Sequence, residues 1–114
     1  MLKTISISTL MPALFFAAAC ATTWRDRVPE DIQCYKGKGR DAALTLLEKA
    51  RTVQFRTESE IRAHYKIGQL DRFRLYSNRR VRGATICFNR KLMYLHTTAG
   101  VVRVRKAEIQ SQEF

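Results

Sequence analysis

The sequence predicts an α+β fold with two N-terminal helices packed on a curled, mainly antiparallel sheet of four to five strands. Two observations indicate this class. Between residues 41 and 66 apolar residues recur at helical spacing, whereas from residue 72 onward they alternate with polar residues at the period of a strand. Because short turns separate the later segments, we expect a meander whose inner face packs against one or both helices.

The first predicted helix follows a basic, glycine-containing loop over residues 35–39, which we interpret as a flexible lead-in. Asp41 is a favourable N-cap residue, and residues 42–51 are rich in strong helix formers. Ala43 and Leu47 recur at helical spacing and therefore define the buried side of this helix.

A short strand over residues 53–56 and a second helix are predicted to follow. Thr57 and Glu60 have the spacing of a capping box, in which each side chain accepts a hydrogen bond from the other residue's backbone N–H. We expect the helix to run through residues 61–66 and to stop near Gly68, because glycine readily adopts the left-handed conformation that ends helices.

The sheet is predicted from alternation and from turn residues. Basic and apolar side chains alternate from Arg72 to Tyr76, and a similar pattern returns after Val101. Polar and glycine-containing turns separate the intervening segments. The four predicted strands of the meander cover residues 72–76, 81–88, 91–97 and 101–109.

The chain divides into three predicted regions. Residues 1–21 combine a positive charge at Lys3, an apolar run and small residues at its end, which is the layout of a secretory signal peptide. Residues 22–33 are polar and predict a tether, and residues 34–114 predict a single small α+β domain. We therefore expect the protein to be exported.

The end of the signal leaves two maturation routes open. The segment Ala17–Cys20 resembles a bacterial lipobox, although a larger aliphatic residue is usual in place of Ala17. The resemblance implies lipidation of Cys20, and because Ala21 is not aspartate it implies an outer-membrane lipoprotein facing the periplasm or the cell surface. Ordinary cleavage after Ala19 or Ala21 would instead leave a periplasmic or secreted protein.

Cysteine usage agrees with export. Lipidation or removal of Cys20 leaves an even pair, Cys34 and Cys87. In an oxidising compartment such a pair is expected to form a disulfide. Neither cysteine lies in a Cys-x-x-Cys motif, so we predict a structural bond rather than a redox or zinc site.

Positive charge is concentrated in the C-terminal half. The chain has 21 Lys and Arg against 10 Asp and Glu, and residues 61–114 hold twelve of the basic but only three of the acidic residues. Such a field attracts anions. In a bacterial envelope these are anionic lipids, glycolipids and acidic proteins, so we do not expect nucleic acid as the partner of an exported protein.

Alternation within the strands predicts where this charge lies. If Phe73, Val102 and Val104 point to the core, the arginines between them point to the opposite face of the sheet. The predicted basic sheet face consists of Arg72, Arg74, Arg80, Arg82, Arg103 and Arg105. An ordinary solvated surface is the alternative interpretation.

We predict no catalytic residue, metal site or cofactor. His64 and His96 have no Cys, Asp or Glu at ligand spacing, and we interpret both as structural histidines. Carboxylates are too scarce in the strand region for a two-carboxylate glycosidase site, and no recognisable nucleophile motif occurs in the sequence.

Three functional hypotheses follow. The first is a non-enzymatic binding or assembly module that engages an acidic envelope protein or an anionic lipid or glycolipid surface, with a membrane contact through the lipid anchor if Cys20 is acylated. The second is a periplasmic inhibitor or immunity protein against a secreted enzyme or toxin. The third is a small basic hydrolase centred on His64 or His96. The sequence predicts no particular oligomeric state.

Overall fold

The structure, a computed structural model, describes residues 23–113 of the 114-residue chain. Two helices and a seven-stranded antiparallel sheet confirm the predicted α+β class. The elements are α1 Arg40–Arg51, α2 Glu58–Tyr65, β1 Gln33–Cys34, β2 Gly37–Lys38, β3 Asp71–Leu75, β4 Arg80–Phe88, β5 Leu92–Thr97, β6 Gly100–Arg105 and β7 Ile109–Glu113.

The predicted arrangement of two N-terminal helices on four to five strands is wrong in two respects. The helices follow a β1–β2 hairpin, whose two-residue strands are too short to produce a recognisable alternation. The predicted strand over residues 101–109 ends at Arg105, and after a short 3-10 turn the chain forms β7 as a separate strand. The sequence indicates this break, because the alternating apolar residues have even numbers at Val102 and Val104 but odd numbers at Ala107 and Ile109.

Helix α1 begins two residues before its predicted start. Gly39 is its N-cap residue and has a φ of 94°, a conformation that L side chains rarely adopt. Asp41, the predicted cap, instead lies in the first turn, where its carboxylate interacts favourably with the positive end of the helix dipole. The predicted buried side is confirmed, because Ala43 and Leu47 are both fully buried.

Helix α2 has one of the two predicted capping-box hydrogen bonds. The Thr57 hydroxyl accepts from the Glu60 N–H at 3.3 Å, whereas the Glu60 carboxylate accepts from the N–H of Arg56 at 3.4 Å, one residue before the predicted donor. The helix ends at Tyr65, three residues before Gly68, because its C-cap residue Lys66 adopts the left-handed conformation, with a φ of 55°.

The predicted strand over residues 53–56 does not form, and this segment is the connection between α1 and α2. Its apolar alternation reflects burial instead. Phe55 lies in the core, and the Val53 carbonyl accepts a hydrogen bond from the His96 ring rather than from a neighbouring strand. Alternation over four residues does not distinguish such a connection from an edge strand.

The predicted meander is present, because β3, β4, β5 and β6 pair in chain order and every pair is antiparallel. β7 adds to β3, and β1 adds to β4. At Cys87 and Phe88, β4 is paired with β1 on one edge and with β5 on the other. A bulge between Thr85 and Cys87 interrupts the register with β5, and such bulges bend strands.

Apolar side chains cover both faces of the sheet. The cluster inside the curl consists of Phe73, Leu75, Val81, Leu95 and Val104. A larger cluster joins the helices to β4 through residues such as Leu47, Ile61 and Ile86. The predicted contact of the inner sheet face with the helices is therefore wrong: the curled sheet fills its inner face with its own side chains, and the helices pack on part of the other face, beside residues such as Ala84 and Ile86.

The N-terminal part of the described chain packs on the folded unit. Val28 and Ile32, which fall in the predicted tether, are 3% and 1% exposed. The Arg40 side chain donates to the Val28 carbonyl at 3.0 Å and to the Arg25 carbonyl at 2.8 Å. The predicted signal peptide and the lipidation site Cys20 lie outside the described residues.

None of the helices within residues 23–113 has the length and apolar character needed to cross a membrane.

The predicted disulfide between Cys34 and Cys87 is confirmed. The two residues are direct partners in the β1–β4 pairing, and Cys87 is fully buried. The bond therefore attaches the β1–β2 hairpin covalently to the central strand of the sheet. It closes a loop with a sequence separation of 53 residues.

Removing this cross-link is expected to lower the free energy of unfolding by about 4 kcal/mol, because a loop of this length restricts the unfolded chain. The measurement is urea unfolding of the oxidised protein, the reduced protein and the Cys34→Ala/Cys87→Ala variant. The two uncrosslinked forms should agree with each other. Coincident unfolding curves for oxidised and reduced protein would contradict the expectation.

Candidate functional site

Four of the six arginines predicted for the basic sheet face lie together on β3 and β4. The strand register places Arg72 directly opposite Arg82, and Arg74 directly opposite Arg80. Directly opposed residues on one face of an antiparallel pair have Cβ atoms about 5 Å apart. Phe73, between them, points into the curl, so the arginines occupy the other face. We call these four residues the arginine face.

Neighbouring carboxylates balance this charge only in part. The Oε1 atom of Glu113 lies 3.5 Å from Nε of Arg80, and the Oε2 atom of Glu58 lies 4.0 Å from an Nη atom of Arg82. Both arginine side chains are about half exposed, at 53% and 49%. Ion pairs this long and this exposed stabilise a protein by at most about 1 kcal/mol.

Among residues 23–113, no carboxylate lies within 4.0 Å of the Arg74 guanidinium. Arg80 lies opposite it on β4, and Ser111 lies opposite it on β7. Its Nε atom is buried, and no acceptor within residues 23–113 forms a hydrogen bond with it. Because this Nε atom is buried, the Nη atoms of Arg74 are the donors left for a carboxylate or phosphate ligand, which accepts charge-assisted hydrogen bonds from the planar group.

A groove of about 550 Å³ adjoins the arginine face. It is lined by Arg80, Arg82 and the turn between β5 and β6. Arg56 and Arg79 contribute two further guanidinium groups, and Glu58 is the one carboxylate among the lining residues. Neither additional arginine is predicted from the sequence, because each lies in a connection, where alternation assigns no face.

The remaining two predicted residues, Arg103 and Arg105, lie elsewhere on the sheet. They are directly opposite Tyr94 and Leu92 of β5, which places them two strands away from β4. Arg105 also has a carboxylate near it, with its Nε atom 3.9 Å from Oε1 of Glu108. The structure therefore divides the six predicted residues into a group of four and a group of two.

The two histidines differ in environment. His96 is fully buried on β5, where its Nε2–H donates to the Val53 carbonyl at 2.9 Å and its Nδ1 accepts from the Tyr65 hydroxyl. Burial lowers the pKa of His96 and raises the pKa of Tyr65, so both groups are neutral near pH 7. His64 is exposed, and its ring packs edge-on against Tyr65 with centroids 4.7 Å apart.

Among residues 23–113, no group of three or more His, Cys, Asp or Glu side chains is placed to hold a metal ion.

No protein-family model, characterised protein sequence or solved structure matches this chain. The fold and the site define it as a small, disulfide-linked α+β protein with clustered arginines. Its functional assignment therefore depends on the geometry of its own side chains.

The burial of His96 predicts a pH-dependent stability. Because its pKa in the folded state lies below the ordinary value of 6.5, the unfolded chain binds a proton first as the pH falls. The free energy of unfolding should therefore decrease below about pH 6.5 and level off once the folded state is also protonated. Urea unfolding between about pH 7.5 and 5 measures this slope.

The His96→Gln variant is the control, because its amide can donate to the Val53 carbonyl but does not titrate. We expect the slope in this pH range to disappear in the variant, whatever its absolute stability. An unchanged slope would show that another group carries the proton linkage.

Proposed function

We propose that this chain is an exported envelope protein that acts as a non-enzymatic binding module and engages an acidic protein or an anionic envelope surface through its arginine face. The observation that carries the proposal is the register of β3 and β4, which opposes arginine to arginine twice. Like charges placed directly opposite each other destabilise a sheet. An anion that binds between the opposed arginines would offset this repulsion, and the relief would contribute to the affinity.

The environment of the histidines supports a binding role over hydrolysis. A general base must come within hydrogen-bonding distance of a substrate. His96 has no exposed surface, and both of its ring nitrogens are occupied by protein groups. His64 packs against aromatic rings and has neither a carboxylate nor a hydroxyl nucleophile bonded to it within the described residues.

The proposed location depends on residues 1–22 and agrees with the disulfide, since such bonds persist in oxidising compartments. If Cys20 carries the lipid anchor, only a short segment of chain joins the anchor to the folded domain. Trp24 packs against the core, so the chain from Cys20 to Trp24 can span at most about 14 Å between the anchor and the folded unit. The domain would then lie next to the bilayer, where anchor and arginine face act together.

An inhibitor or immunity protein is the second candidate, favoured by the groove of about 550 Å³. A flat lipid surface does not require a concave site, whereas an acidic loop of an enzyme or toxin would enter one. One set of variants tests both candidate functions, because binding is measured with a lipid probe and with an acidic peptide probe.

The test compares two quadruple variants with equal net charge. One replaces every residue of the arginine face with Gln. The matched control replaces the exposed residues Arg90, Lys91, Arg103 and Arg105 with Gln. Binding is measured by cosedimentation with phosphatidylglycerol–phosphatidylcholine vesicles and by calorimetric titration with a polyglutamate peptide.

We expect the arginine-face variant to lose at least about tenfold in affinity, since each basic residue at an anionic surface contributes about 1 kcal/mol. The control should remain close to the unmodified protein. Loss towards vesicles identifies an anionic surface, and loss towards the peptide identifies an acidic protein. Equal losses in the two variants would contradict the proposal, because affinity would then follow net charge alone.

A further inference from the structure

A second concave site lies between α1, the C-terminal end of α2 and the β1–β2 hairpin. Its volume is about 310 Å³, within the range of small-molecule sites. Tyr35 and Tyr65 form part of its lining, together with apolar side chains of α1. The lining also includes Val53, His64 and three lysines: Lys36 from the hairpin, Lys49 from α1 and Lys66 from the end of α2. We call this site the lysine pocket.

The aromatic part of the lysine pocket is held in place by the core. The rings of Tyr35 and Tyr65 meet almost perpendicularly, at 85°, with centroids 5.5 Å apart. The Tyr65 hydroxyl is bonded to the buried ring of His96, which fixes its position. Tyr35 follows Cys34 in the chain, so the disulfide restrains the hairpin that carries it. The pocket therefore offers a preformed apolar surface.

The charge of the lysine pocket is unbalanced. No Asp or Glu is among its lining residues, and within residues 23–113 no carboxylate lies within 4.0 Å of Lys36, Lys49 or Lys66. The Lys36 ammonium lies 5.6 Å from the centroid of the Tyr35 ring, which keeps it next to the apolar surface. A pocket lined by three lysines and two tyrosine rings favours a ligand that is both anionic and partly apolar.

Lys66 provides an independent indication that the site is functional. Its φ of 55° is unfavourable for any residue with a side chain, and glycine is the usual residue at this position after a helix. Strained residues concentrate at binding sites, where they hold a side chain in a required position. Here the strained backbone carries one of the three lysines of the pocket.

We propose that the lysine pocket binds a small amphipathic organic anion, consisting of a carboxylate or phosphate attached to a flat apolar group. The anionic group contacts the three ammonium groups, and the apolar group packs on the two tyrosine rings. The site is distinct from the arginine face: Glu58, at the start of α2, lines the groove, whereas Lys66, just beyond its end, lines the lysine pocket. The two proposals therefore stand or fall separately.

The test is a titration of the ¹⁵N-labelled, disulfide-bonded protein with three probes of one shape: 2-naphthoate, 2-naphthyl phosphate and the neutral 2-naphthalenemethanol. We expect saturable chemical-shift changes for the anions, centred on Tyr35, Lys36 and Lys66. The neutral probe should bind at least about tenfold more weakly, because it lacks the charge-assisted hydrogen bonds. Preference between the two anions distinguishes a carboxylate from a phosphate ligand.

Three variants separate binding from folding. Lys49→Met should weaken 2-naphthoate binding by about tenfold, while Lys91→Met, with the same loss of charge on an exposed site outside the pocket, should not change it. Lys66→Gly should also weaken binding, yet unfold at a higher urea concentration, because glycine relieves the positive φ. A purely structural lysine would not combine a gain in stability with a loss of affinity.

Three outcomes would overturn the proposal: equal affinity for neutral and anionic probes, shift changes centred on residues outside the pocket, or equal effects of Lys49→Met and Lys91→Met. The arginine-face variant provides the final control. It should bind 2-naphthoate as the unmodified protein does, and a loss of binding there would place the anion on the arginine face instead.

Discussion

The pairing of β4 along both edges is the constraint on which the rest of the structure depends. Its C-terminal half pairs with β5 on one side and with β1 on the other, where the disulfide makes the contact permanent. Its N-terminal half pairs with β3 and carries two residues of the arginine face. Because β4 pairs with β3 at one end and with β1 at the other, it positions both the arginine face and the hairpin that lines the lysine pocket. The bulge after Thr85 interrupts the pairing of β4 with β5, and such bulges bend strands.

The two candidate sites share a physical property, since each keeps an arrangement that folding alone does not favour. On the arginine face, guanidinium groups oppose one another across two strands with only distant carboxylates nearby. In the lysine pocket, Lys66 occupies a conformation suited to glycine, beside two other cations. Natural proteins tolerate such local losses of stability where function requires them. The core and the disulfide must then supply the compensating stability.

The sequence predicted the parts of this structure that depend on local pattern. The α+β class, the meander and the buried side of α1 follow from periodicity, and the bond between Cys34 and Cys87 follows from cysteine parity and the predicted export signal. The sequence-based prediction failed for elements whose position is set by tertiary contacts. Two-residue strands exist only because β4 offers them an edge, and the end of α2 at Lys66 overrides the local preference for glycine. The lysine pocket joins residues from three separate segments, and no spacing along the chain brings them together.

We infer that the arginines of the arginine face repel one another in the folded protein. A double-mutant cycle between Arg74→Gln and Arg80→Gln measures this interaction directly, using urea unfolding at low salt and in about 1 M salt. We expect an unfavourable coupling of about 0.2–1 kcal/mol between Arg74 and Arg80 at low salt. Replacing either arginine should relieve it, and high salt should nearly abolish it. A favourable coupling, or one that salt does not change, would mean that the two arginines stabilise each other through packing. That result would contradict the proposal that the arginine face binds an anion.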